Sequence, residues 1–279
     1  MANRLSGLPS VRPTAPVAGW NGAIVCSGMT TKRTIKPRKN SRPKAAQARR
    51  RPGLFIVGTD TGVGKTYVAC RIAETLVRQG IAVGVYKPAA SGCRRRGAAL
   101  VSTDAQLLWE AAGRPGEFSR VCPQCFAAQL APHLAAREEG KQLDARLLRQ
   151  GLDYWLEQGD LVIVEGAGGL MSPLGESEYV VDLARDLGFP LVVVAANRIG
   201  VINQTLQTLI AAEVHAAGLP VAGIVLNNVT APKRTDPSAE SNRGELEIRC
   251  APPVLAQLPF GGKTFDGEVN WKKLAAATR

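Results

Sequence analysis

A chain of 279 residues that is 45% hydrophobic and 21% charged can bury one substantial core, enough for a single large α/β domain. No apolar run approaches the ~18 residues that a membrane-spanning helix requires, and six cysteines suit reduced thiols better than a disulfide framework. The net charge of +12 suggests nucleic acid or an anionic membrane only until it is located. Residues 1–52 hold twelve Lys/Arg and no Asp or Glu, leaving 23 basic residues to balance 23 acidic ones in the remainder.

The segment 1–52 ends in "TKRTIKPRKNSRPKAAQARRRP" and has little to bury, so a disordered basic tail is expected there. An acid-free, Arg-rich leader also has the composition of an organelle transit peptide. The plainer readings are a solvated tail or an upstream start codon, with the body in the cytoplasm. A nucleic-acid-binding arm would find no basic face to continue onto, because the body is neutral.

Residues 53–279 are expected to form one domain. Five apolar runs end in Gly, Pro or Asn: "LFIVG" (54–58), "AVGVYKP" (82–88), "LVIVEGAGG" (161–169), "PLVVVAAN" (190–197) and "VAGIVLNNV" (221–229). Their unbroken hydrophobicity suits parallel strands buried on both faces. Helical stretches are expected at 66–79, 104–112, 144–158, 179–187 and 202–217. Residues 230–244 read as a polar loop or short helix, 254–260 as one more strand and 270–279 as a final helix. Alternation of strand and helix predicts an α/β fold: a doubly wound, mostly parallel sheet with helices on both faces and ligands at the carboxyl ends of the strands.

"GTDTGVGKT" (58–66) lies between the first strand and the first helix, where backbone N–H groups and a helix N-terminus attract phosphate. Five residues separate Gly58 from Gly64, one more than the usual phosphate-loop spacing. Lys65 would reach the outer phosphates and Thr66 would offer its hydroxyl to Mg²⁺. A magnesium nucleotide also needs carboxylates, since Mg²⁺ prefers hard oxygen ligands. Glu165, at the exit of a buried strand, would be costly without a cation. Asp104 is a metal ligand or an ordinary helix N-cap, and Lys87 is a ligand of the crevice or a snorkelling surface lysine. "CPQC" has half of a zinc site's spacing at Cys122 and Cys125, but no second Cys/His pair matches it. Two thiols lining the strand or loop before "FAAQLAPH" are expected instead. His215 reads as a helix-surface or satisfied core residue.

The segments "GTDTGVGKT", "YKPAASG", "TDA", "APH", "VEGAGG", "NRIGVIN", "LNNVTAP" and "LPF" occur in the order and spacing of the dethiobiotin synthetases. From about Leu54 onward the chain is similar to that family of ATP-dependent, ring-closing enzymes of biotin biosynthesis, whose phosphate loop has this longer spacing and whose fold is P-loop NTPase-like. The resemblance implies a carbamate made from 7,8-diaminononanoate and CO₂, its phosphorylation by ATP to a carbamic–phosphoric anhydride, and ring closure by the second amine. It also implies a homodimer.

Site roles follow from the same resemblance. Gly62, Val63, Gly64, Lys65, Thr66 and Tyr67 would hold the nucleotide, with Gly166, Ala167 and Gly168 after Glu165. Thr66, Asp104 and Glu165 would form the Mg²⁺ shell. Lys87 and Lys65 would act on the transferring phosphoryl group, and Thr61 and Ser91 on the reacting end of the substrate. Asn227, Asn228, Pro259, Phe260 and Gly261 would frame the purine. Gly200, Val201, Ile202 and Asn203 would receive the substrate's carboxylate across the subunit interface, a helix start being suited to an anion.

The chain departs from the family's pattern at Gly62, where many members carry an acid, and at Arg198, which replaces a lysine-containing segment. Cobyrinic acid amidoligases, a rival within the fold, need a glutaminase domain for which no chain is left. A partition-type P-loop ATPase switch associated with nucleic acid is the rival from another class. It would need an extra lysine early in the loop, where Thr59 and Asp60 stand.

Overall fold

Gly53–Gly58 (β1) is buried at every position, so side chains on both of its faces enter core. That is the environment its unbroken "GLFIVG" requires. The computed structural model describes residues 51–215, 218–231 and 236–277. The expectation of a disordered tail therefore falls almost wholly outside the described residues.

After β1 come α1 (Lys65–Arg78), β2 (Val83–Tyr86), β3 (Ala89–Ala90), β4 (Arg94–Arg96), β5 (Ala99–Val101) and α2 (Thr103–Ala111). The chain continues through β6 (Gln124–Cys125), α3 (Pro132–Glu138), α4 (Leu147–Gln158), β7 (Leu161–Gly169), α5 (Val180–Leu187) and β8 (Leu191–Ala196). It ends with α6 (Val201–His215), β9 (Val221–Asn227), α7 (Asn242–Arg249), β10 (Val254–Leu258) and α8 (Trp271–Ala275). No helix among the described residues is long and apolar enough to cross a membrane.

Six strands form the central sheet in the order β10-β9-β8-β1-β7-β2, and every pairing in it is parallel. The doubly wound α/β expectation holds. Among the described residues the only antiparallel ladder is the small β4–β5 hairpin, a separate two-stranded sheet. Helix α1 turns Val68, Ala69, Ile72, Ala73 and Leu76 inward, the i, i+4 spacing of an amphipathic helix, and lies on β1 and β7. Helix α4 covers β2 and β7 with Leu148, Leu152 and Trp155.

Local physics moves several boundaries. The helix expected from residue 144 begins at Leu147, because the Asp144 carboxylate accepts from the N–H groups of Arg146 and Leu147 at 2.8 and 3.0 Å and caps it. The polar stretch 230–244 leads through a short 3₁₀ turn, Pro237–Glu240, into α7. Glu165 does not end its strand. The β1–β7 register runs Ile56 to Glu165 and then Gly58 to Gly169, so β7 bulges by two residues just after the glutamate. That bulge lifts Ala167 and Gly168 towards the phosphate loop. Helix α3 and the β3–β6 ladder are additional elements.

Candidate active site

The loop between β1 and α1 is shaped by one glycine above all. Gly64 caps α1 with φ 87° and ψ 32°, a left-handed conformation, and a Cβ there would lie 2.1 Å from the Asn227 amide nitrogen. That amide donates to the Val63 carbonyl at 2.9 Å, which fastens the loop to the carboxyl end of β9. Lys65 opens the helix and folds back, its Nζ donating to the Asp60 carbonyl at 3.2 Å. Burial lowers its pKa and the nearby Lys87 ammonium adds to this, while Glu165, Asp104 and Asp60 oppose. An ammonium held this way gains from an incoming phosphate.

Beside the loop lies a buried charge network. Lys87 Nζ donates to Glu165 Oε1 at 2.8 Å and lies 3.5 Å from Asp104 Oδ2. Thr66 Oγ1 donates to the same Glu165 oxygen at 2.7 Å. Burial pulls the Lys87 pKa down, but Glu165 and then Asp104 outweigh it, so the ammonium is held above its ordinary range. Lys87 is therefore buried, not a snorkelling surface lysine. Asp104 sits in the first turn of α2, and the N-cap is the hydroxyl of Ser102, which accepts from Ala105 N at 3.2 Å.

The other oxygen of Glu165, Oε2, is buried with no hydrogen-bond partner among the described residues. An orphaned carboxylate oxygen beside a threonine hydroxyl and a half-exposed aspartate is an all-oxygen donor set, and it fits a hard divalent cation such as Mg²⁺.

These groups open into one cavity of about 840 Å³. Thr61, Gly62, Gly64, Lys65, Thr66, Tyr67, Lys87, Ser91, Asp104, Glu165, Ala167 and Gly168 line it, so the structure brings most of the expected residues together. Others stand apart. Val63 is core, and a Cβ at Gly166 would lie 3.0 Å from Phe55 and 3.1 Å from Val180, so the glycine faces the core. Asn227 supports the loop from behind. The Asn228 side chain accepts from Asn197 Nδ2 at 2.9 Å and its N–H donates to Leu258 O. The Pro259–Gly261 turn, with Phe260 half-exposed, is tied to α1 where the Tyr67 hydroxyl donates to the Gly262 carbonyl at 2.8 Å.

Gly200 and Asn203 are exposed and Val201 is buried; none of Gly200 to Asn203 lines this cavity. Around them Ile199, Ile210 and Val214 are 77%, 62% and 68% exposed. Arg198 is exposed.

Sequence reasoning missed the cavity's outer wall. Cys70, Arg71 and Glu74 of α1 face Leu107, Glu110 and Ala111 of α2 across it. Arg71 stacks on the Tyr67 ring at 5.2 Å and donates to Glu74 at 2.7 Å. The spacing of 67, 70, 71 and 74 on one helix face was the available signal. Among the described residues no group of three or more His, Cys, Asp or Glu is placed to hold a metal ion. His215 is on the surface.

A glycine-turned loop between a buried parallel strand and a helix, with lysine at the first helical position and a carboxylate at the neighbouring strand, defines a P-loop nucleotide-binding protein. Residues 52–264 match an AAA domain family. The ATP-dependent dethiobiotin synthetase BioD of Rhodopirellula baltica is 42% identical over 215 residues, which is 73% of this chain and 82% of that one. Its namesake from Anaeromyxobacter dehalogenans is 43% identical over 75% of this chain and 90% of its own. The chain belongs to the dethiobiotin synthetase family. The ParA family ATPase of Chlorobium tepidum TLS superposes with a TM-score of 0.48 at 13% identity, covering 82% of this chain and 90% of that one, too distant to bear on activity.

Proposed function

We propose that this protein closes the ring of dethiobiotin from 7,8-diaminononanoate and CO₂ at the expense of ATP, in biotin biosynthesis. The observation that carries the reading is Lys87, an ammonium fully buried against Glu165 and opening into the same cavity as Lys65 and Ser91. A buried cation beside a phosphate loop can offset charge on a second anionic reactant as it approaches the phosphates.

One amine and CO₂ give a carbamate, whose oxygen attacks the γ-phosphate of ATP, breaking its bond to the bridging oxygen and releasing ADP. The second amine then attacks the activated carbonyl and expels phosphate. Lys65 and the loop N–H groups hold the phosphates. Lys87 offsets charge where carbamate and phosphoryl oxygen approach, an arrangement already in place before reaction. Thr61 and Ser91 orient the reacting end of the diamine. Thr66, Asp104 and Glu165 are the residues that would hold Mg²⁺, which when bound neutralises charge on the phosphates. Tyr67, Asn227, Asn228 and the Pro259–Gly261 turn frame the base.

The active form in this reading is a homodimer. Gly200–Asn203 of one subunit then meets the substrate's carboxylate in the other's site. The exposed apolar side chains of Ile199, Ile210 and Val214 supply an interface.

The test is to supply diaminononanoate, bicarbonate and Mg-ATP and to look for dethiobiotin by mass spectrometry. Phosphate release that needs the diamine and bicarbonate together supports the reading. Steady ATP hydrolysis indifferent to the diamine overturns it.

A further inference from the structure

The loop that carries Lys87 and Ser91 is held from behind by the segment Val121–Phe126. Lys87 N donates to Val121 O at 2.8 Å, Phe126 N to Ala90 O at 2.9 Å, and Cys93 N to Phe126 O at 2.9 Å. Ala90 pairs with Cys125 in the β3–β6 ladder, and Ala89, Ala90 and Ser91 line the cavity. Three thiols gather at this clamp. The sulfurs of Cys122 and Cys125 lie 3.6 Å apart on either side of the Pro123–Gln124 turn, both partly exposed. Cys93 is buried, contacts Cys125, and donates to Ala90 O at 3.5 Å.

We propose that Cys122 and Cys125 form an oxidative modification site, at which a reversible disulfide slackens the clamp on Lys87 and Ser91 and lowers turnover. A disulfide needs ~2.05 Å between sulfurs, so the pair must approach by about 1.5 Å. Both cysteines belong to one short segment whose backbone is already committed to the catalytic loop. Closing the bond therefore strains the contacts at Val121, Cys125 and Phe126. Disulfides with such strain are easily reduced, as a responsive site requires.

With hydrogen peroxide as oxidant the chemistry balances. The Cys122 sulfur attacks one peroxide oxygen, the O–O bond breaks, and water leaves to give a sulfenic acid. The Cys125 sulfur then displaces that oxygen, which departs as a second water with the remaining thiol protons. Two electrons pass from the two thiols to peroxide. The Cys125 sulfur is placed for the second step by its position, 3.6 Å from the sulfur it attacks.

The inference rests on the proposed activity only for its kinetic readout. The full chain is treated with hydrogen peroxide, trapped with an alkylating agent and digested, while turnover is followed before and after dithiothreitol. We expect the peptide holding Cys122 and Cys125 to lose two hydrogens and turnover to fall on the order of tenfold, since small displacements of positioned groups are costly. Dithiothreitol should restore both. C122S should keep its turnover under peroxide, and C93S should respond as the natural protein does.

The inference is overturned if the pair stays reduced while other cysteines oxidise, if Cys125 joins Cys93 instead, or if the disulfide forms and turnover holds. It is also overturned if C122S is inactivated equally. Should C122S be inactive when reduced, the peptide mass and its reversal in the natural protein decide alone. A reduced protein that makes no dethiobiotin would count against the proposed activity and leave the disulfide to be judged by mass.

Discussion

Glu165, in the middle of β7, and Lys87, just past the end of β2, meet with 2.8 Å between Oε1 and Nζ, and both side chains are withdrawn from water. Breaking such a pair from one side is more damaging than never having had it, because the surviving charge stays buried. Glu165→Gln should lower stability by about 3 kcal/mol and turnover by at least ~10²-fold. Thermal unfolding read beside the product assay checks both, and near-natural turnover at limiting Mg²⁺ would remove Glu165 from the metal shell.

Lys87→Gln separates chemistry from nucleotide binding. Loss of one preorganised charge at the developing transition state typically costs on the order of 10²–10³ in rate. ATP affinity should barely change, because Lys65 and the loop N–H groups remain. A calorimetric titration of Mg-ATP paired with turnover decides: equal losses in both would make Lys87 a nucleotide-binding residue.

Two glycines of the phosphate loop should respond very differently to alanine. Gly62 has φ 75° with nothing within 4 Å of its would-be Cβ, so G62A meets only the backbone cost of about 1–2 kcal/mol. Gly64 adds a 2.1 Å collision with the Asn227 amide to a φ of 87°. G64A should therefore displace the loop and abolish measurable ATP binding, while G62A keeps it within about tenfold.

The lowered pKa of Lys65 gives a pH signature with a definite sign. Between its depressed folded value and the ordinary 10.5, the unfolded chain carries a proton that the folded chain has released, so this residue's contribution to stability rises with pH across that window. Bound phosphates favour the charged form and pull the proton back. ATP binding should take up a proton, and affinity should fall as pH climbs through the window. Calorimetry in buffers of different ionisation enthalpy measures the uptake, and it should vanish in Lys65→Gln.

Ile210 and Val214 stand one turn apart on α6 and are both mostly exposed. If they lie in the proposed dimer interface, I210E/V214E should sediment as a monomer and lose turnover while keeping ATP binding. A dimer that survives the pair of charges would relocate the interface.

Much of this was legible because it is local. The strands announce themselves by runs such as "LVVVAA", every residue of which is buried, and the phosphate loop by glycines whose φ the turn demands. What stayed hidden depends on distant parts of the chain. Asn227 reaches Val63 across 164 positions, so its hold on the loop exists only once β9 lies beside β8. The wall formed by Arg71, Glu74, Leu107 and Glu110 arises from the packing of α1 against α2, whose polar residues look like ordinary solvated faces in sequence. Ladders of two or three residues, such as β3 with β6, are too short to leave a periodic pattern.

The position of β1 also sets a timetable. Among the described residues it is the first strand made, yet both neighbours are distant in sequence: Gly53 pairs with Val162, and Phe55 with Leu191. On a ribosome the phosphate loop therefore waits, flanked by an unpaired apolar strand, until well over a hundred further residues have emerged. Loop closure over such spans is slow, and exposed strands invite association with other chains in the meantime. Nascent chains halted before β7 should be sticky and protease-sensitive, and protection of β1 should arrive only with the synthesis of β7 and β8.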